Sequence, residues 1–158
     1  MRTLAILAFT LALAGGLLGL QSPAFAAKDL PTCFGVTYDS SDPNHFLGTM
    51  WDDRIIGTPD DDVIFGLSGN DIISGGEGDD VLCGGNGNDF IRGGPGVDYI
   101  YGGDGNDLLR GFGGDGDQLF GGNGDDFLAG GDGVDDVCDG GKGEDHIDGP
   151  CEILISVP

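Results

Sequence analysis

A nine-residue period runs through this chain and governs what it can fold into. From residue 66 the segments read GLSGNDIIS (66–74), GGEGDDVLC (75–83), GGNGNDFIR (84–92), GGPGVDYIY (93–101) and GGDGNDLLR (102–110). GFGGDGDQLF (111–120) is one residue longer; GGNGDDFLA (121–129) and GGDGVDDVC (130–138) follow. With Asp139 read as a one-residue insertion, GGKGEDHID (140–148) closes the series, and two looser copies, GTMWDDRII (48–56) and GTPDDDVIF (57–65), precede it. The motif is G-G-x-G-x-D-x-U-x, with U aliphatic. Its sixth position is Asp53, Asp62, Asp71, Asp80, Asp89, Asp98, Asp107, Asp117, Asp126, Asp135 and Asp145; its eighth is Ile55, Ile64, Ile73, Leu82, Ile91, Ile100, Leu109, Leu119, Leu128, Val137 and Ile147. Biased composition alone does not put aspartates and aliphatics in phase this way, so the period marks a repeat architecture rather than low complexity.

The motif divides into a turn and a short strand. In an extended x-U-x segment the central side chain points opposite to its neighbours, so the aliphatic faces inward and the seventh and ninth residues face out. The six remaining residues reverse the chain, and glycines there permit positive φ and close backbone approach. Two repeats make one coil, and each repeat stacks on the next but one, about 4.8 Å away. That stacking lines the sixth-position aspartates into two rows. Neighbouring carboxylates in a row repel by roughly 1 kcal/mol even in water. Oxygen-rich turns with clustered negative charge suit a hard cation of flexible coordination: calcium takes 6–8 oxygens, here from carboxylates and turn carbonyls, whereas magnesium demands stricter octahedral geometry. Soft metals would want sulfur or imidazole in the turns.

These residues resemble the RTX, or hemolysin-type, calcium-binding repeat family over residues 48–148. The resemblance implies an all-β fold, a right-handed parallel β-roll (β-solenoid) with several calcium ions held in GGxGxD turns. The metal residues it implies are Asp71, Asp80, Asp89, Asp98, Asp107, Asp117, Asp126, Asp135 and Asp145. The first two repeats, with Thr at the second position and no Gly at the fourth, are expected to bind weakly or not at all. Counting stacked turns gives up to about seven calcium ions. The few inward aliphatics are small recompense for ordering a Gly-rich chain, so metal binding is expected to drive folding.

Residues 1–26 read as a secretory signal, with Arg2, an apolar run from Leu4 to Leu20 and a small-residue site at Ala24-Phe25-Ala26. Residues 27–47 and 149–158 read as caps, which a solenoid needs. An exported chain with four cysteines suggests two disulfides. On this register Cys83 and Cys138 are both ninth-position residues, three rungs and about 14 Å apart, too far to pair. Cys33–Cys83 and Cys138–Cys151 are therefore favoured.

The charge narrows the partners. The chain carries 28 acidic and 6 basic residues, a net charge of -22. That opposes binding to nucleic acid and to anionic membranes. Catalysis finds little support: His45 and His146 neighbour no nucleophile, and no two of the many aspartates stand out as a glycosidase pair. The family's usual protease, lipase or toxin domain has no counterpart beside the repeats. A protein partner or self-association would use a seventh-position row, Ile72, Phe90, Leu108 and Phe127. A second outward row, Phe65, Tyr101 and Phe120, lies on the other sheet. The reading is a secreted, non-catalytic calcium-binding protein, with adhesion or self-assembly as the alternative.

Overall fold

The computed structural model describes residues 32–151 and 153–154. The signal-like segment 1–26 lies outside them. The described residues form a parallel β-roll of two facing sheets and contain no helix. A six-stranded sheet begins with Arg54–Ile56 and ends with His146–Asp148. A seven-stranded sheet begins with His45–Leu47 and ends with Ile153–Leu154. The chain alternates between them, so each strand pairs in parallel with the strand one coil away. Leu109, for example, lies between Ile91 and Leu128, and Ile100 lies between Leu82 and Leu119.

Eighth-position side chains fill the narrow space between the sheets. Ile64, Ile73, Leu82, Ile91, Ile100, Leu109, Leu119 and Leu128 are fully buried, and Ile55 nearly so. The strands outrun the three residues of x-U-x. Phe90–Pro95 and Tyr99–Asp104 run six residues, through the glycine pair of the next repeat. The second glycine of each pair takes positive φ and still pairs with its counterpart, as Gly85 (+116°) does with Gly103 (+123°).

One register differs from the sequence reading. Leu119 pairs with Cys138, not Val137, and Gln118 pairs with Val137. The extra residue of this repeat therefore lies inside the turn before Val137, not at Asp139. Asp136 takes the buried sixth position, Val137 the outward seventh and Cys138 the inward eighth. Asp135 is exposed, with φ +63°. The physical reason is the neighbouring rung, whose own turn (111–117) is also one residue longer than the rest. Two enlarged turns stack without a step between them.

The ends add rungs of their own. His45–Leu47 pairs with Val63–Phe65, which places Asn44 before it in a sixth-type position and Phe46 against the core. At the other end, Val137 and Cys138 pair with Ile153 and Leu154. Disulfides join Cys33 to Cys83 and Cys138 to Cys151, the favoured pairings. The first fastens a hairpin, Thr32–Cys33 with Val36–Thr37, whose Phe34-Gly35 turn has positive φ at both residues. That hairpin lies on the outer face of the seven-stranded sheet. Phe34 packs its ring 5.8 Å from Tyr99, 6.3 Å from Tyr101 and 5.3 Å from Phe120, centroid to centroid. Tyr38 meets Phe65 edge-on. Among the described residues no helix is long and apolar enough to cross a membrane.

Candidate metal centre

Each turn leads into a strand, so the sixth-position aspartate is fixed by the ladder that begins at the next residue. Its carbonyl accepts from the seventh-position N–H of the following rung, as Asp80 does from Tyr99 at 2.8 Å. Its own N–H donates to the carboxylate Oδ1 of the aspartate in that same rung. Two rows of such bonds run the length of the roll. On the edge leading into the six-stranded sheet the N–H groups of Asp53, Asp71, Asp89 and Asp107 each reach the next Oδ1 at 2.8 Å, and Asp126 reaches Asp145 at 3.0 Å. On the edge leading into the seven-stranded sheet, Asp62, Asp80, Asp98 and Asp117 do the same at 2.8–3.0 Å, ending on Asp136.

Oδ1 is therefore satisfied, and Oδ2 is not. In Asp71, Asp80, Asp89, Asp98, Asp107, Asp117, Asp126 and Asp136, Oδ2 is buried without a hydrogen-bond partner. A buried, unpaired carboxylate oxygen is costly. Eight in two regular rows need an occupant, or a proton each. Each Oδ2 points at the first-position glycine of its own repeat. A Cβ at Gly93 would overlap Asp98 Oδ2, and one at Gly84 would overlap Asp89 Oδ2. The second and fourth glycines make the other walls. Gly94 has φ +147°, and a Cβ there would run into the carbonyl of Gly76; at Gly96 it would run into that of Gly78. The turns are thus cradles lined by carboxylate and carbonyl oxygen, kept open at the first and fourth positions by glycine.

The electrostatics agree. Burial pushes Asp80, Asp98 and Asp107 up to about 7, and Asp71 and Asp117 up to about 6, from an ordinary 3.8. Neighbouring carboxylates add to the rise, Asp62 for Asp80 and Asp89 for Asp107 among them. The N–H bond onto Oδ1 opposes it. Asp62, Asp89 and Asp126 are raised as well, again chiefly by burial. Among the described residues no three His, Cys, Asp or Glu side chains converge on one point. A cation in these turns would draw carboxylates from successive rungs and complete its shell with backbone oxygens. That donor set fits calcium, with its 6–8 oxygen ligands and loose geometry.

The first two repeats are built differently. Asp53 Oδ2 accepts from Thr49 N–H at 2.6 Å and from Thr49 Oγ1 at 2.8 Å. Asp62 accepts from Thr58 N–H on Oδ2 at 2.5 Å and from Thr58 Oγ1 on Oδ1 at 3.1 Å. From repeat 66–74 onward the second-position residue has positive φ, even where it is Leu67 (+84°) or Phe112 (+85°). Thr49 and Thr58 do not, and their amides turn onto the carboxylate.

Of the remaining sequence candidates, Asp145 is only half-buried, at the last turn of its row. His45 is held structurally, its Nδ1 accepting from Asp39 N–H at 2.8 Å. His146 lies against Phe127, ring centroids 5.0 Å apart. Sequence reading missed Asp136, and it missed a second ladder at the fifth position. Asn70, Asn88, Asn106 and Asp125 each accept, at 2.8–3.0 Å, an N–H from the fifth residue of the next rung. The recurrent Asn before Asp was its visible signal.

A parallel β-solenoid with glycine-walled, oxygen-lined turns is a repeat protein built around cation sites. The sequence model of the RTX calcium-binding nonapeptide repeat matches this chain in four copies, at residues 52–82, 77–109, 84–116 and 112–147. The chain belongs to that family, whose repeats bind calcium. Neither the curated proteins nor the solved structures compared with the chain gave a match.

Proposed function

We propose that this protein is a non-catalytic calcium-binding β-roll that acts outside the cell and takes its fold from the metal. The ligands are Asp71, Asp89, Asp107, Asp126 and Asp145 on one edge and Asp80, Asp98, Asp117 and Asp136 on the other. Asp136 replaces Asp135. The observation that carries the reading is the double row of buried, unpartnered Oδ2 atoms. Successive carboxylates leave four gaps on the first edge and three on the second, room for up to about seven ions. Two disulfides and the signal-like N-terminal pattern support an oxidising destination.

Calcium titration of the metal-free, disulfide-intact chain tests this by far-UV circular dichroism. A cooperative gain of sheet is expected near the roughly 0.1–1 mM range of extracellular calcium modules. Asp136→Asn should weaken the transition, and Asp135→Asn should leave it where it was. Sheet that is complete without calcium and indifferent to it would refute the proposal.

A second reading, self-assembly, rests on the uneven dressing of the two sheets. The hairpin packs against the aromatic row of the seven-stranded sheet, burying Phe65 and leaving Tyr101 partly open. No described segment covers Ile72, Phe90, Leu108 and Phe127 on the other, where Arg92 also sits 4.6 Å over the Phe112 ring. If that face joins two copies, sedimentation will show a dimer in calcium that Phe90→Ser with Phe127→Ser abolishes. A wild-type monomer at all concentrations disposes of the idea.

A further inference from the structure

We propose that Thr49 and Thr58 stand in for calcium in the first two repeats, so that the N-terminal rungs fold without metal and template the calcium-dependent rungs behind them. The inference rests on the calcium reading above and deepens it.

Three independent features coincide at this end. The first is the threonine cap. Each supplies its carboxylate with an amide and a hydroxyl donor, which is what a bound cation would otherwise offset. Neither Asp53 nor Asp62 is left with an unpartnered buried oxygen, in contrast to the eight aspartates that follow. The second is the disulfide Cys33–Cys83, with a sequence separation of 50 residues. It ties the hairpin to the strand Val81–Asn86 and shrinks the unfolded ensemble of this part of the chain. The third is a second small core outside the roll. Cys33, Phe65 and Cys83 are buried there, with Tyr38, Leu47, Val63, Leu67 and Val81 packed around them. Among the described residues, no later part of the roll has a second cluster of buried side chains outside the sheets.

Solenoid stability is a sum of rung and nearest-neighbour terms, so a stable end lowers the cost of adding the next rung. Asp53 and Asp62 already present N–H donors to Asp71 and Asp80 Oδ1. The folded end therefore holds one oxygen of the first orphaned carboxylate on each edge in place. Calcium then has only to organise the rest.

Hydrogen exchange read by mass spectrometry on the full, disulfide-bonded chain decides it. In metal-free buffer at neutral pH, amides of 45–65 should stay protected while those of 90–148 lose protection. Added calcium should protect both. Loss over both segments without calcium, with recovery in its presence, overturns the template and leaves the calcium reading standing. Full protection of both with no calcium effect overturns both. In the Thr49→Val, Thr58→Val protein, 45–65 should lose protection without metal, while calcium still protects 90–148 and so reports a folded chain. Unchanged protection of 45–65 in that variant would remove the threonines from the account.

Discussion

Stripped of calcium, the protein will be more stable at about pH 5 than at about pH 8, the reverse of ordinary acid denaturation. Asp80, Asp98 and Asp107 titrate near 7 and Asp71 and Asp117 near 6 in the roll, against 3.8 in an unfolded chain. The folded state therefore holds more protons between those limits. Stability falls as pH rises wherever that is so. The protonated contribution is fully present below about 4 and is lost as pH climbs through about 6 to 7. Each such carboxyl adds to that slope, and neighbours in a row share the effect. Relief of self-repulsion in a chain of net charge -22 adds to it with the same sign. The measurement is the far-UV sheet signal of resin-decalcified protein across this range, which should grow as pH falls. Asp98→Asn, which mimics the protonated side chain, should gain most at pH 8 and little at pH 5. A sheet signal that falls with acid would mean the Oδ2 rows are not buried as described. With calcium present the trend should reverse, since the metal displaces the same protons.

Replacing Gly94 by alanine will cost roughly 3 kcal/mol or more, and replacing Gly113 by alanine will stay within about 0.5 kcal/mol. Both glycines sit at strand ends in the same sheet. Gly94 combines φ +147° with a carbonyl of the rung below lying where Cβ must go, so strain and collision add. Gly113 has no positive φ, and a Cβ there meets nothing within 4 Å. Denaturation in saturating calcium separates them. Equal costs would show that glycine serves only chain flexibility here, not the walls of the turns.

Much of this was legible because phase is a strong signal. The inward aliphatics from Ile64 to Leu128 and the aspartates before them follow from the period alone, as do both sheets. Phase failed where it admitted two alignments. In GGDGVDDVCD either Val137 or Cys138 can be the inward residue, and a rule that asks for an aliphatic takes Val137. The neighbouring enlarged turn and a cysteine able to lie in the core settle it as Cys138, which is fully buried. Asn44 and Phe46 went unread for the opposite reason. They stand eighteen residues before Asp62 and Ile64, in perfect phase, but with no glycine pair to announce them. The threonine caps lay beyond pattern altogether. Thr at a glycine position reads as a defect, and only geometry shows that its hydroxyl is aimed at a carboxylate.

The two enlarged turns carry a consequence for how such a chain changes length. Gly116 N–H meets the carbonyl of Val134, and Val134 N–H meets Asp115 Oδ1, so each enlarged turn is hydrogen-bonded to the other. An extra residue behaves like a dislocation in a layered crystal: it disturbs every layer until a matching fault restores registry. In this chain both faults lie on one edge, in adjacent layers, where they heal each other. A single insertion or deletion in any turn from Gly75 to Asp107 would have no such companion. Length variants of this protein should therefore be tolerated in vertically matched pairs, or as whole coils, far better than one residue at a time.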